Sequence, residues 1–390
     1  MKNKKIIICF VNYYIPGFRS GGPTRTVANF TDHLSDEFDI RIICCDRDLG
    51  DKKAFSEILP NKWNKVGKSK VFYISPTKIN LLNIAKILRE TQHDLIYINS
   101  FFSYGFAIIP LLAKFLKLAP NSPCIIGPRG EFSKGALSLK TLKKRLFMAF
   151  VKFIGLYNNL YWQASSDYEL IDIKREFGSV AKKIFVARDL TPANKISEKY
   201  IVLDKINRPL KIIFLSRISP MKNLEFLISV LSKIKSEIEF NIFGPKEDMN
   251  YWEKCKIDLK KLPSNIKVNI ENEISHNKVL DVFSKNDLFA FPTKGEALGH
   301  IILESLSAST PVLVSDKTSW LSDNFKGLQA IPLNENLWIN QINEWIKLSN
   351  DEINLRRKAA FDYAQSSYLD NLQSIKENKD LFYKAITESK

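Results

Sequence analysis

Phe291-Pro-Thr-Lys-Gly-Glu296-Ala-Leu-Gly299-His-Ile-Ile-Leu-Glu304 passes from a strand into a helix and places one carboxylate on each side of that junction. Leu288 to Phe291 has the length and apolar content of a buried strand, and Pro292 to Glu296 the composition of a turn. Gly299 to Ala308 has the periodicity of a helix that begins near the strand's carboxyl end. Ligands bind at that end of α/β sheets. The backbone N–H groups of Leu298, Gly299 and His300 would face such a crevice and hold a phosphate or sugar oxygen, with Gly299 permitting close approach. Glu304, about one turn further in, is placed to accept hydrogen bonds from a ribose diol, and Glu296 from a sugar ring. Taken alone, two glutamates eight residues apart also fit an ordinary solvated helix face.

A second stretch strengthens the reading as a sugar-nucleotide site. In Lys211-Ile-Ile-Phe-Leu-Ser216-Arg217-Ile-Ser-Pro220-Met-Lys222-Asn-Leu224 a buried strand ends at Ser216 and a helix starts near Asn223, with Leu224, Leu227, Ile228 and Leu231 on one face. Arg217 and Lys222 flank that start. A bidentate fork, a point charge and a helix dipole of the right sign suit a diphosphate leaving group. Either cation alone also fits a plain surface position.

The order of these motifs resembles the family 4 glycosyltransferases, retaining enzymes of the GT-B architecture. The resemblance covers most of the chain. It runs through Gly21-Gly22-Pro23 after the first strand, Ser216-Arg217 to Lys222, Phe243-Gly244-Pro245, the Glu296 to Glu304 spacing and Pro311-Val312-Leu313-Val314-Ser315-Asp316. It implies two Rossmann-like doubly wound α/β domains facing a central cleft, with the donor held mainly by the second and the acceptor by the first. By that resemblance Arg217 and Lys222 bind the diphosphate, Glu304 the ribose and Glu296 the donor sugar. The sequence departs from the family pattern at Ala297-Leu298, where Gly-Phe is frequent, and at Asn272 and Ser309, where Gly is frequent. A His common after the fourth strand is replaced by Asn99-Ser100, so Asn99 supplies a hydrogen bond but no base.

The coarse pattern is two doubly wound halves. Strands are expected at Ile6 to Val11, Ile40 to Cys44, Val71 to Ile74, Leu95 to Ile98, Cys124 to Gly127 and Ile184 to Ala187, alternating with helices from near Pro23, Ile79, Tyr104, Leu139 and Asp167. The second half repeats the alternation with Ile212 to Leu215, Phe240 to Phe243, Ile266 to Ile270, Leu288 to Phe291 and Val312 to Ser315. Asp189 to Arg208, polar and closed by Pro209, reads as a linker. The expected domains are 1–195 for the acceptor and 205–370 for the nucleotide sugar. Residues 371–390 form a terminal helix that, by the resemblance, crosses back to the first domain.

Charge is unevenly divided. Residues 1 to 200 hold 32 Lys and Arg against 17 Asp and Glu, nearly the whole formal excess of +16. If the first half binds the acceptor, that favours an anionic partner, either the phosphates of a lipid-linked sugar or an acidic bilayer surface. The densest stretch is Lys134 to Ile154, where Leu142, Leu146, Phe150 and Phe153 form a helical stripe beside Lys143, Lys144 and Arg145. The same pattern fits a helix packed on its own sheet with solvated cations outside. No nucleic-acid motif accompanies the charge.

Five cysteines, an odd number without metal spacing, read as buried reduced thiols. The N-terminal apolar run is short for a signal peptide, and Phe106 to Ala119 is interrupted by Pro110, Lys114 and Lys117. The expected location is cytoplasmic, at most peripheral at the inner face of the membrane. Gly21 and Gly22 introduce a helix whose N-terminus would face the donor diphosphate, or else form a plain turn. Arg129 in Pro128-Arg129-Gly130-Glu131 is a candidate acceptor-phosphate clamp and Glu131 an acid/base candidate, with a structural Arg–Glu pair equally open. Asp46-Arg47-Asp48 resembles the Asp-x-Asp metal motif of the other main glycosyltransferase architecture, but paired doubly wound halves argue for solvated or loop-capping aspartates.

The expected activity is therefore a hexosyltransferase-type transfer from a nucleotide sugar to a glycan or lipid-linked acceptor in surface polysaccharide or lipopolysaccharide synthesis, with no metal or other cofactor. Glu296, Arg217 and Lys222 are the expected catalytic set. A sugar-nucleotide epimerase or hydrolase of the same architecture, and a non-catalytic basic membrane- or polyanion-binding protein, are the competing readings.

Overall fold

A computed structural model of the chain describes residues 4–138, 141–192, 208–296 and 298–388. Most of the expected Asp189–Arg208 linker, the helix start at Leu139 and the departure at Ala297 lie outside those residues. The chain divides into two α/β units, Met1–Ala193 with Asp370–Lys390, and Asn194–Leu369.

The first unit is built on β1 (Lys5–Phe10), β2 (Phe38–Cys45), β3 (Trp63–Val66), β4 (Ser69–Ile74), β5 (Leu95–Ile98), β6 (Cys124–Ile126), β7 (Tyr161–Ala164) and β8 (Lys183–Val186). Their order in the sheet is β3-β4-β2-β1-β5-β6-β7-β8, all neighbours parallel except the β3–β4 hairpin. Runs such as Ile7-Ile8-Cys9-Phe10 are buried on both faces, as expected of parallel strands covered by helices on each side. The strands β3 and β7 are additions to the sequence expectation.

The terminal Asn371–Thr387 helix belongs to this unit. Phe382 packs edge-on against Phe30 and Phe38, at ring-centroid separations of 5.7 and 5.6 Å. Asn371 accepts from the Thr191 N–H at 3.1 Å, and Asn378 donates to the Arg188 carbonyl at 2.8 Å.

The second unit is wholly parallel: β9 (Leu210–Leu215), β10 (Ile238–Phe243), β11 (Ile266–Ile270), β12 (Leu288–Phe291), β13 (Val312–Ser315) and β14 (Leu328–Ile331) lie in the order β11-β10-β9-β12-β13-β14. The last strand extends the expected set. This is the doubly wound order in which the winding reverses between the first and fourth strands, here β9 and β12. Its equivalent in the first unit lies between β1 and β5. Both units are therefore doubly wound α/β folds.

All five cysteines are free and buried. No helix among the described residues is long and apolar enough to cross a membrane.

Candidate functional site in the second unit

The turns that leave β9 and β12 are stitched together at the reversal point. Asn223, left-handed at φ 61° just before the Leu224–Leu231 helix, donates to the Pro292 carbonyl at 3.0 Å. The Lys294 N–H reaches the Met221 carbonyl at 2.8 Å, and the Thr293 hydroxyl bridges the Met221 and Gly295 carbonyls. Main-chain bonds of this kind set side chains from distant parts of the sequence in fixed register.

Lys222 and Glu296 are such a pair: the ammonium donates to Glu296 Oε1, from residues 74 apart in sequence. Lys222 is almost wholly buried, with its ammonium 5.5 Å from the Phe291 ring centre. Burial, and then the nearby Arg217 guanidinium, push the ammonium down to about 7, against an opposing pull from Glu247. The Glu296 carboxylate in contact with it favours the charged form. Arg217 is half-exposed and holds Glu247 Oε1 at 2.6 Å.

Gly244, at φ 136°, lets the end of β10 approach β9. A Cβ there would lie 1.9 Å from the Ser216 carbonyl oxygen. That approach carries Glu247 to Arg217. Neither Glu247 nor this pairing was anticipated, although Phe243-Gly244-Pro245 marked the strand end that delivers it.

Beyond β12, Gly299 adopts φ 70° and ψ 60° as the cap of the His300–Ser307 helix, so this helix starts one residue later than the periodicity suggests. The Trp320 indole N–H donates to the Leu298 carbonyl and holds the loop that precedes the helix. His300 is buried in the first turn, so its N–H lies among the groups at the helix's positive end. Glu304, mostly buried one turn on, has Oε1 3.4 Å from His276 Nδ1, which comes from the segment after β11. The second unit thus brings Arg217, Lys222, Glu296, Leu298, Gly299, His300 and Glu304 to the carboxyl ends of its strands. It adds Glu247, His276 and Trp320.

In the first unit, Gly21 at φ 67° caps the Gly22–Leu34 helix, which carries Pro23 in its first turn. Gly22 has no neighbour that a Cβ would meet. The buried amide of Asn99 joins this start to the next loop, donating to the Pro23 carbonyl at 3.3 Å and accepting from Arg129 Nε at 2.6 Å.

Arg129 and Glu131 are each engaged within the first unit. Arg129 forms an ion pair with Asp189, reaches Tyr97 and Gln163, and is itself almost entirely buried. Its fork is engaged inside the unit. It does not pair with Glu131. Glu131 instead accepts from Ser100 Oγ and the Phe101 and Phe102 N–H groups at 2.7–2.9 Å, and burial raises its carboxyl above the usual range. It ties down the loop after β5.

Asp46 and Asp48 are buried loop caps. Asp46 accepts from Ser75 and Arg47 at 2.8 Å, and Asp48 from the N–H groups of Phe18, Arg19 and Leu49. Among the described residues no three His, Cys, Asp or Glu side chains are grouped to hold a metal ion.

Residues 197–361, most of the second unit, match the family model described as glycosyl transferases group 1. Two proteins show local or extended similarity. The chain is 28% identical over 105 residues to the sulfoquinovosyl transferase SQD2 of Arabidopsis thaliana, a match that covers 27% of this chain and 19% of that protein. It is 22% identical over 329 residues to an uncharacterized 41.2 kDa protein in the cps region of Klebsiella pneumoniae, covering 79% of this chain and 82% of that one. Among solved structures, HepE of Anabaena in complex with UDP and glucose superposes with a TM-score of 0.69 at 15% identity, over 98% of this chain and all of that one.

Proposed function

We propose that this protein is a retaining glycosyltransferase that moves a hexosyl-type sugar from a nucleotide-sugar donor to a glycan or lipid-linked acceptor. Its place would be in the cytoplasm, in surface polysaccharide or lipopolysaccharide synthesis. The observation that carries the reading is the Lys222–Glu296 ion pair at the reversal point, with Arg217 and Glu304 on the segments that leave the neighbouring strands, in a stretch that matches the group 1 glycosyl transferase family model. HepE, of like fold, was crystallised with UDP and glucose, which supports a nucleotide-sugar donor. The similarity to a protein in a cps region supports the polysaccharide setting.

In this reading the diphosphate lies against Lys222 and Arg217. A lysine ammonium has three N–H donors, and Glu296 engages one. A guanidinium has five, and Glu247 engages one nitrogen of Arg217. The remaining donors, together with the positive end of the His300–Ser307 helix, stabilise the charge that builds on the diphosphate as the glycosidic bond loosens. Glu296, anchored by Lys222, orients the donor sugar, and Glu304 accepts from the ribose diol.

The same site argues against a hydrolase carboxylate pair. Glu296 is already ion-paired and Glu304 lies inside a helix beside His276, an arrangement that suits binding better than opposed acid and base. Titration of sugar nucleotides into the wild-type protein and a Glu304→Ala variant tests the reading, because a ribose contact through Glu304 must appear as lost affinity.

A further inference from the structure

The Thr141–Phe153 helix turns an apolar face outward. Leu142, Leu146, Phe150 and Phe153 are 72, 62, 59 and 89% exposed, although their spacing is that of a core-facing stripe. The core is served instead by the opposite side, where Met148 and Val151 are buried and Phe147 packs partly against the same cluster.

The flanking cations are sorted in the same way. Lys144 turns inward, donating to the Ala136 carbonyl at 2.6 Å with its ammonium 5.2 Å from the Phe102 ring centre, and Lys152 lies 4.6 Å from that of Phe177. Lys143 and Arg145 are exposed. At a helical turn of about 100° per residue they border the outward arc on either side. A contiguous apolar arc on a helix already anchored by its other face is not explained by folding of this unit.

We propose that this helix docks the protein on an acidic lipid bilayer. Large apolar side chains would enter the headgroup boundary while Lys143 and Arg145, beside them, meet anionic headgroups. The excess of cations in residues 1 to 200 adds long-range attraction of the same sign. The occupant is thus an anionic surface with an apolar layer beneath it, which a free polyanion lacks. The inference rests on this helix alone and stands or falls apart from the donor site.

Co-sedimentation with phosphatidylcholine vesicles, with and without phosphatidylglycerol, tests it. Wild-type protein is expected to partition onto the acidic vesicles and to lose partition as salt rises. Lys143→Gln with Arg145→Gln should lower partition about fivefold per charge removed. Leu146→Ser with Phe153→Ser should lower it at least tenfold. Leu82→Ser, at a residue 72% exposed on the Leu81–Glu90 helix, is the control and should leave it unchanged. Unaltered thermal melting of each variant establishes that folding is intact.

Absence of wild-type partition, or partition in either paired variant equal to that of wild type, overturns the proposal. So does a solution dimer that Leu146→Ser with Phe153→Ser dissociates, since the apolar arc would then be covered by a second copy. Binding to RNA as tight as to acidic vesicles and untouched by the Leu146 and Phe153 changes overturns it as well.

Discussion

Lys222 concentrates the chemistry proposed for the second unit. Its ammonium is held down to about 7 by burial and by Arg217, so a substantial fraction is neutral at pH 8. A bound diphosphate is an added negative neighbour and raises the value again. Binding at pH 8 should therefore take up protons from the buffer, and affinity should fall as pH rises from 7 to 9. A sugar nucleotide has no phosphate proton of its own to release in that range. Calorimetry in buffers of different ionisation enthalpy should show uptake of a fraction of a proton by wild type and none by Lys222→Met; equal uptake in both would place the titrating group elsewhere. Lys222 and Glu296 were each legible from sequence as a charge beside a helix start. Their mutual contact was not, because it depends on β9 and β12 being neighbours, and spacing along the chain carries no adjacency between strands.

Helix ends decide how the elements present these groups. Gly299 holds φ 70° ahead of the His300–Ser307 helix, and Ser309 holds φ 58° after it. The Ser309 N–H reaches the Leu306 carbonyl and the Thr310 N–H the Ser305 carbonyl, both at 2.9 Å, so a left-handed serine closes the helix where glycine would. At Gly299 an added Cβ would press on the flexible end of Ile302, at 3.1 Å, and touch Glu296 at ordinary contact distance, so the cost lies in the backbone. Gly299→Ala should lose about 1–2 kcal/mol of second-unit stability in urea and weaken donor binding; unchanged stability would mean that the loop accommodates a different cap. The strands recognised in sequence were those with long apolar runs. β7 carries a buried Gln163 bonded to the Ala187 carbonyl at 2.7 Å, β14 a buried Gln329, and β3 is a four-residue edge strand with polar Asn64 and Lys65 at its centre. A polar residue satisfied inside the fold breaks the periodicity from which a strand is read.

At the scale of the whole chain, the first unit combines residues far apart in sequence, Met1–Ala193 and Asp370–Lys390. Leu381, Phe382, Ala385 and Ile386 are buried in the cluster that contains Phe30, Phe38 and Tyr97, so the Asn371–Thr387 helix supplies part of the first unit's core. Phe382→Ala should cost about 3–5 kcal/mol and lower the first unit's melting transition, while Tyr383→Ala, partly exposed, should cost less. Equal small effects from both would show that the terminal helix contributes little to that core. The two doubly wound sheets were foreseeable from alternating apolar runs. The engagement of Arg129 by Asp189 was not, since the two are 60 residues apart and each is also a plausible surface charge.

The donor site is the central claim, and calorimetric titration of UDP-, GDP- and ADP-sugars into wild type and Glu304→Ala tests it most directly. A nucleotide-sugar site at the strand ends of the second unit requires selective binding of one nucleotide class by wild type. It also requires a loss of about tenfold to a hundredfold in Glu304→Ala, the scale of a hydrogen bond to a charged group. Binding unchanged in Glu304→Ala, or no binding of any sugar nucleotide by wild type, would contradict it.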